Sequence, residues 1–339
     1  MTGYFIRRFL LIIPTFIGIT LLVFAITRFV PGGPVEQMIS KMQQMSGDKG
    51  GKSLTQGGNA LSPDQIEELK HYYGFDKPVL VSYVQWLSKV VRFDLGNSTR
   101  FNEPVWDVIK KRFPISITYG LTAMLITYCV CIPLGIAKAI KHKSLFDNSS
   151  SILVFILYAI PGYVVAIALV FLLASRFEVF PLGGFVSENF SDLTGFAKIK
   201  DLLWHAVLPI LSYVAGSFAV MTFLMKNSMM DNLSSDYVRT AMAKGLPFNK
   251  AVVRHAMRNS LIPIATSFGN SISVILSGSF LIETIFNIDG FGLLGFESVV
   301  QRDYPIVMGT LVLSSLLFMV GNILSDICVA IVDPRIQFK

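Results

Sequence analysis

Apolar residues along the chain gather into six long runs separated by polar or charged segments. A hydrocarbon core of about 30 Å takes roughly 20 residues of α-helix. The runs at 9–29, 115–137, 151–174, 206–225, 261–282 and 306–331 meet that length. The fold class they predict is an all-α integral membrane protein with six transmembrane helices. Between the first two runs lies a longer polar stretch. In it, Ser62-Pro63-Asp64-Gln65 supplies an N-cap, a first-turn proline and a capping-box glutamine. Ile66, Leu69 and Tyr73 then share one helical face up to Gly74. Leu80, Tyr83, Val84, Leu87 and Val91 mark a second amphipathic helix, and a third, shorter one starts at Pro104. Residues 42–60 are mostly Gly, Ser, Gln and Lys without periodicity, the pattern of a flexible linker. The organisation expected is a first transmembrane helix over 1–30, a loop with short helices over 31–113 forming a small outer cap, and a five-helix core over 114–339.

Composition excludes a soluble enzyme. Apolar residues make up 53% of the 339, and charged residues only 15%, against about 25% in soluble domains; the mean hydropathy is +0.59. The net charge of +7 is explained by where the charges fall. With the N-terminus inside, thirteen Lys and Arg lie in inner segments and four (Arg176, Lys198, Lys200, Arg302) in the short outer loops. The positive-inside rule therefore puts both termini in the cytoplasm, and nucleic acid need not be invoked. Cys129, Cys131 and Cys328 sit in apolar runs and read as small buried hydrophobes. Arg28 followed by Pro31-Gly32-Gly33-Pro34 is no small-residue cleavage site, so the first run reads as a retained helix.

The chemistry-bearing motifs are mostly absences. Residues 46–53 read SGDKGGKS, close to a phosphate-cradling loop, but serine stands where its first glycine belongs and no strand precedes it. The chain has neither H-E-x-x-H nor G-x-S-x-G, so no catalytic or metal residue is expected. The span centres are free of Asp, Glu, His, Lys and Arg, whereas an ion-coupled transporter places such groups there. Energy for transport would then arrive through a partner. The alternative, a self-sufficient channel or secondary transporter for a small polar solute, is disfavoured on the same ground. Glu283 and Asp326 read as lying near helix ends; Asp303 beside Arg302, and Asp333 beside Arg335, read as ion-paired ends.

The loop 226–260 is too long for a simple connector and carries six basic residues among its 35. It reads as two short helices with a bend at Gly245-Leu246-Pro247. Small Ala241 and Ala243 suit close docking into a groove on another protein; a pair of interfacial helices on anionic lipid fits the same residues equally. In the fifth run, Ser267, Asn270, Ser271, Ser277 and Gly278 fall on one face. They suit either a polar strip along a translocation path or small-residue helix packing.

Asp236-Tyr237-Val238-Arg239-Thr240-Ala241-Met242-Ala243-Lys244-Gly245, with His255, Arg258, Asn259 and Pro263 beyond, resembles the permease signature of dipeptide and oligopeptide ABC importers. That branch typically reads D-Y-V-R-T-A-R-A-K-G, then H-A-L-R-N-x-L-x-P; Met242 and Met257 are the departures. The likeness extends to Gly74-Phe75-Asp76-Lys77-Pro78, Tyr83 with Trp86, Asp94-Leu95-Gly96-Asn97-Ser98, Ile282 to Asn287, Gly290, Gly292, Arg302 to Pro305 and Asp333-Pro334-Arg335. Pro31 to Pro34, the glycine-rich insert and Trp204-His205 look most like the oligopeptide importers that also admit microcin C. The resemblance implies a type I ABC importer permease: a non-catalytic, multi-pass subunit of the bacterial inner membrane. It implies a second homologous permease, ABC ATPase subunits that bind ATP and Mg while this chain holds no cofactor, and a periplasmic binding protein delivering peptide for alternating access. It assigns ATPase coupling to Asp236, Tyr237, Val238, Arg239, Thr240, Ala241, Lys244, Gly245, His255, Arg258 and Asn259.

Overall fold

The structure, a computed structural model, describes residues 2–29, 77–276 and 278–332. The linker at 42–60, the capped helix after Ser62, Pro31 to Pro34 and Asp333-Pro334-Arg335 lie outside the described residues. Among the described residues there is no β-sheet; an isolated antiparallel bridge joins Asn97 and Pro104. The helices are α1 (Thr2–Phe29), α2 (Val79–Val90), α3 (Val105–Ile140), α4 (Leu145–Ala159), α5 (Gly162–Arg176, π-helical from Val170), α6 (Phe196–Leu233) and α7 (Asp236–Ala243). They continue with α8 (248–260, π-helical over Val252–Ala256), α9 (Ile262–Leu276), α10 (Phe280–Ile285), α11 (Phe291–Val300) and α12 (Tyr304–Val332).

Among the described residues four helices, α1, α3, α6 and α12, are long and apolar enough to cross a membrane unbroken. The other two expected spans differ from the simple reading. The third run is a bent pair, α4 and α5, turning by 96°. Pro161 causes the break: it disfavours helical geometry at the residue before it, and Ile160 is extended at φ −97°, ψ 118°. The fifth run yields α9, whose 15 residues at about 1.5 Å each fall short of a bilayer core. The turn beyond it uses Gly278 at φ +73°, a left-handed conformation that suits glycine, and leads into α10. The short helix expected at Pro104 is instead the first turns of α3, which continues through Pro114. Exposed Phe9, Leu10, Ile13 and Leu22 on α1, and Ile152, Phe155 and Ile156 on α4, give these helices the apolar outer surface that lipid requires.

The chain forms two compact units, one of residues 1–11, 112–294 and 316–339, the other of 12–111 and 295–315. In the smaller unit the Tyr83 hydroxyl lies 2.8 Å from that of Thr20 and donates to the Ile17 carbonyl at 3.2 Å. Phe24 and Trp86 complete an aromatic cluster around it. Asp303, expected as an ion-paired end, is buried here and caps α12: it accepts from the Ser98 hydroxyl at 2.5 Å and the Arg100 N–H at 3.0 Å.

In the larger unit one buried cluster gathers Tyr119, Ala166, Leu208, Ile282, Phe286 and Ile288. A second joins Cys131 and Ala139 of α3, Met221, Met225 and Met229 of α6, and the residues of α7 and α8. Arg8 pairs with Asp326 at 3.1 Å, and the Arg258 Nε donates to the Val332 carbonyl at 2.9 Å. These bonds bring the start of α1, the last turns of α12 and the α8 segment to one end of the unit.

Candidate docking site

The segment between α6 and α9 is a pair of short helices seated on a buried cluster shared with α3, α6 and α9. Val238 of α7 and Ala251, Val252 and Ala256 of α8 are buried together with Met225, Met229 and Ile264, while Met242, Leu246 and Leu261 pack against them. Burying these apolar side chains attaches both short helices to the end of α6 rather than leaving them on a loose tether. The bend falls where the sequence places it. The Leu246 N–H reaches the Ala241 carbonyl at 3.2 Å and the Gly245 N–H reaches that of Met242 at 2.9 Å, the paired bonds of a Schellman motif. Gly245 holds φ +89°, the conformation that motif asks of its glycine. Pro247 then opens α8.

The resemblance-derived residues divide by what they touch. The Tyr237 hydroxyl donates to Asn232 Oδ1 at 2.5 Å and accepts from Asn259 Nδ2 at 3.1 Å, binding α6, α7 and α8 together. Arg258 caps α12 and Val238 is core, so four of the eleven, Tyr237, Val238, Arg258 and Asn259, hold the segment in shape. Asp236, Arg239, Thr240, Lys244 and Gly245 are exposed, Ala241 and His255 half-buried. Arg239 and Asp236 lie 3.8 Å apart in solvent, an ion pair of little consequence. Phe248 and Val253, exposed apolar residues of α8, and Lys250 and Arg254 extend the face. The segment thus presents a cationic surface with apolar projections on a fixed frame.

The polar strip of the fifth run is only partly described. The Ser267 hydroxyl donates to the Pro263 carbonyl at 2.8 Å and that of Ser271 to the Ser267 carbonyl at 3.1 Å. Both spend their donors on their own helix. Ser277 and the side chain of Asn270 lie outside the described residues. Gly278 belongs to a close-packed seat: a β-carbon there would stand 2.5 Å from Glu283 Oε1 and 2.8 Å from the Gly292 nitrogen.

That seat is a site the sequence reading passed over. Glu283 is buried. Its Oε1 accepts from the Ser116 hydroxyl at 2.7 Å and from that of Tyr213 at 3.4 Å, and its Oε2 from the Leu293 N–H at 2.6 Å. Ser116 in turn accepts from the Phe291 N–H at 2.7 Å, and the Tyr213 hydroxyl from that of Ser279 at 2.9 Å. Both carboxylate oxygens are engaged by the protein, so Glu283 ties α3, α6, α10 and α11 together. The available signal was an acid within an apolar stretch flanked by glycines, Gly278 before it and Gly290 and Gly292 after.

Comparison with known proteins gives a consistent assignment. Residues 131–338 match the family model described as binding-protein-dependent transport system inner membrane component. The chain is 42% identical over 362 residues to the inner membrane ABC transporter permease protein YejB of Escherichia coli O157:H7, covering all of both chains. It is 40% identical over 360 residues to the peptidoglycan transport system permease protein YejB of Agrobacterium fabrum, with all of this chain and 99% of that one covered. It is 34% identical over 339 residues to the oligopeptide transport system permease protein AppB of Bacillus subtilis, again across both full chains.

Proposed function

This chain belongs to the family of binding-protein-dependent transport system inner membrane components, and on that premise we propose that it is the permease subunit of an ATP-driven importer of peptides. The observation that carries the reading is the docking segment: two short helices with a shared core, fixed to the end of α6 and displaying exposed Arg239, Thr240 and Lys244. A segment so built passes force as a rigid body. Docked on an ABC ATPase subunit that binds ATP and Mg, it carries ATPase closure into α6, and the pathway shared with a second, homologous permease opens outward. A periplasmic binding protein supplies the substrate on that side, while both termini lie in the cytoplasm of a bacterial inner membrane. This chain holds no nucleotide itself and catalyses nothing.

Peptide is the cargo because relatives covering the full chain are named for oligopeptide and dipeptide transport. The oligopeptide subgroup that admits microcin C-like peptides is the narrower assignment. Copurification tests the docking role. With the second permease and the ATPase subunits coexpressed, Arg239→Glu/Lys244→Glu should reach the membrane yet retain ATPase poorly. Full ATPase retention would remove the loop as the docking element.

A further inference from the structure

Beside the docking segment, one buried carboxylate joins three helices. Asp147, in the first turn of α4, accepts from Lys226 Nζ of α6 at 2.7 and 2.9 Å. It also lies 3.2 Å from Lys138 Nζ of α3. Lys138 is fully buried, and its ammonium further donates to the Asp147 carbonyl at 2.9 Å and to the Ser150 and Ser151 hydroxyls at 2.7 and 2.8 Å. The Lys143 N–H and His142 Nδ1 lie 3.1 and 3.3 Å from Asp147 Oδ2. Two ammonium groups on one carboxylate leave a net positive charge in a nearly closed space, a costly arrangement in which removing the acid would strand both cations. Helix packing alone does not ask for it.

Its position is informative. Lys226 lies one residue after Met225, and Lys138 one before Ala139; both neighbours belong to the buried cluster that holds Val238, Ala251, Val252 and Ala256. At the same level α3 and α6 approach so closely that a β-carbon on Gly135 would stand 2.7 Å from Met225 Cβ and 3.0 Å from the Lys226 nitrogen. The cluster that seats the docking helices therefore borders this joint, whose carboxylate comes from the first turn of α4.

We propose that Asp147, gripped by Lys226 and Lys138, is the positioning residue through which displacement of the docking helices is passed from α6 to α3 and α4. The inference rests on the docking reading above. Packing guides a motion but lets helices slide; a charge-assisted bond on each side of one carboxylate makes the three helix ends move together.

The test is the stoichiometry of transport in proteoliposomes holding the complete importer. Lys226→Met frees α6 while leaving Lys138 and Asp147 paired. The complex should assemble and hydrolyse ATP, but peptide moved per ATP should fall by about five- to tenfold, the scale of a coupling between sites. Lys226→Arg should restore the ratio. Asp147→Asn/Lys226→Met should be no worse than Lys226→Met, as for two members of one joint. If Lys226→Met does not reach the membrane, Lys226→Leu, which likewise offers Asp147 no donor, is read in its place with the same expectation. An unchanged ratio, or a fall in uptake matched by the fall in hydrolysis, overturns the proposal. Failure of the docking reading would look different: Arg239→Glu/Lys244→Glu would then retain ATPase as well.

Discussion

Gly269 of α9 and Gly321 of α12 meet backbone to backbone: a β-carbon built on Gly269 would collide with the Gly321 carbonyl and stand 2.8 Å from Ser325 Cβ. Ser325 closes the crossing by donating to the Ala265 and Thr266 carbonyls at 2.9 and 2.7 Å. Close approach over small residues, stitched by a hydroxyl, is how helices associate where no hydrophobic driving force separates them from lipid. Gly269→Ala should therefore push α9 from α12 and cost about 1–3 kcal/mol, as overpacking does. A lowered unfolding temperature of the detergent-solubilised protein checks this; an unchanged one would show that the crossing yields freely.

Gly245 is constrained differently. Nothing lies within 4 Å of a β-carbon there, but φ is +89°, so the penalty is backbone strain of about 1–2 kcal/mol for an L-residue. Gly245→Asn, which tolerates the left-handed region, should keep most ATPase association and uptake, whereas Gly245→Val should lose both. Equal behaviour of the two variants in copurification would show that conformation at the bend does not matter.

Glu283→Ala would leave the Ser116 and Tyr213 hydroxyls and the Leu293 N–H without their acceptor. A buried polar group left unsatisfied costs about 1–3 kcal/mol, so this should be among the most damaging single substitutions in the larger unit. Gly290→Ala should share the defect, because its β-carbon would run into the Glu283 carboxyl. Thermal unfolding of both variants checks this, and parental stability of Glu283→Ala would deny the carboxylate its structural place.

In the smaller unit, Ser98→Ala removes the 2.5 Å hydroxyl donor from Asp303. A hydrogen bond to a charged group contributes about 1.5–3 kcal/mol. The same hydroxyl also accepts from the Arg100 and Phe101 N–H groups, so the turn it organises should loosen. Faster proteolytic cleavage near Arg100, at unchanged membrane insertion, is the expected readout.

How far these sites could be read from sequence depends on what each signal measures. Runs of some 20 apolar residues give away α1, α3, α6 and α12, because bilayer thickness leaves few alternatives. The bend between α4 and α5 hides in a continuous apolar run whose hydropathy outweighs Pro161. The two short helices α7 and α8 are legible because Gly245 and Pro247 punctuate them. Lys138 and Lys226 read as interior-side charges, which is all a count of basic residues records; that they converge on Asp147 depends on three helices distant in sequence. Glu283 looks like a helix-end acid for the same reason, since its partners come from residues 116, 213 and 293.

Uptake of a labelled oligopeptide by proteoliposomes tests the central claim most directly, with this chain, its second permease, the ATPase subunits and the binding protein assembled, and again with the ATPase subunits left out. An ATP-driven peptide permease predicts accumulation that requires ATP and both permeases and disappears with the ATPase. Accumulation by this chain alone, with or without an ion gradient, would contradict it.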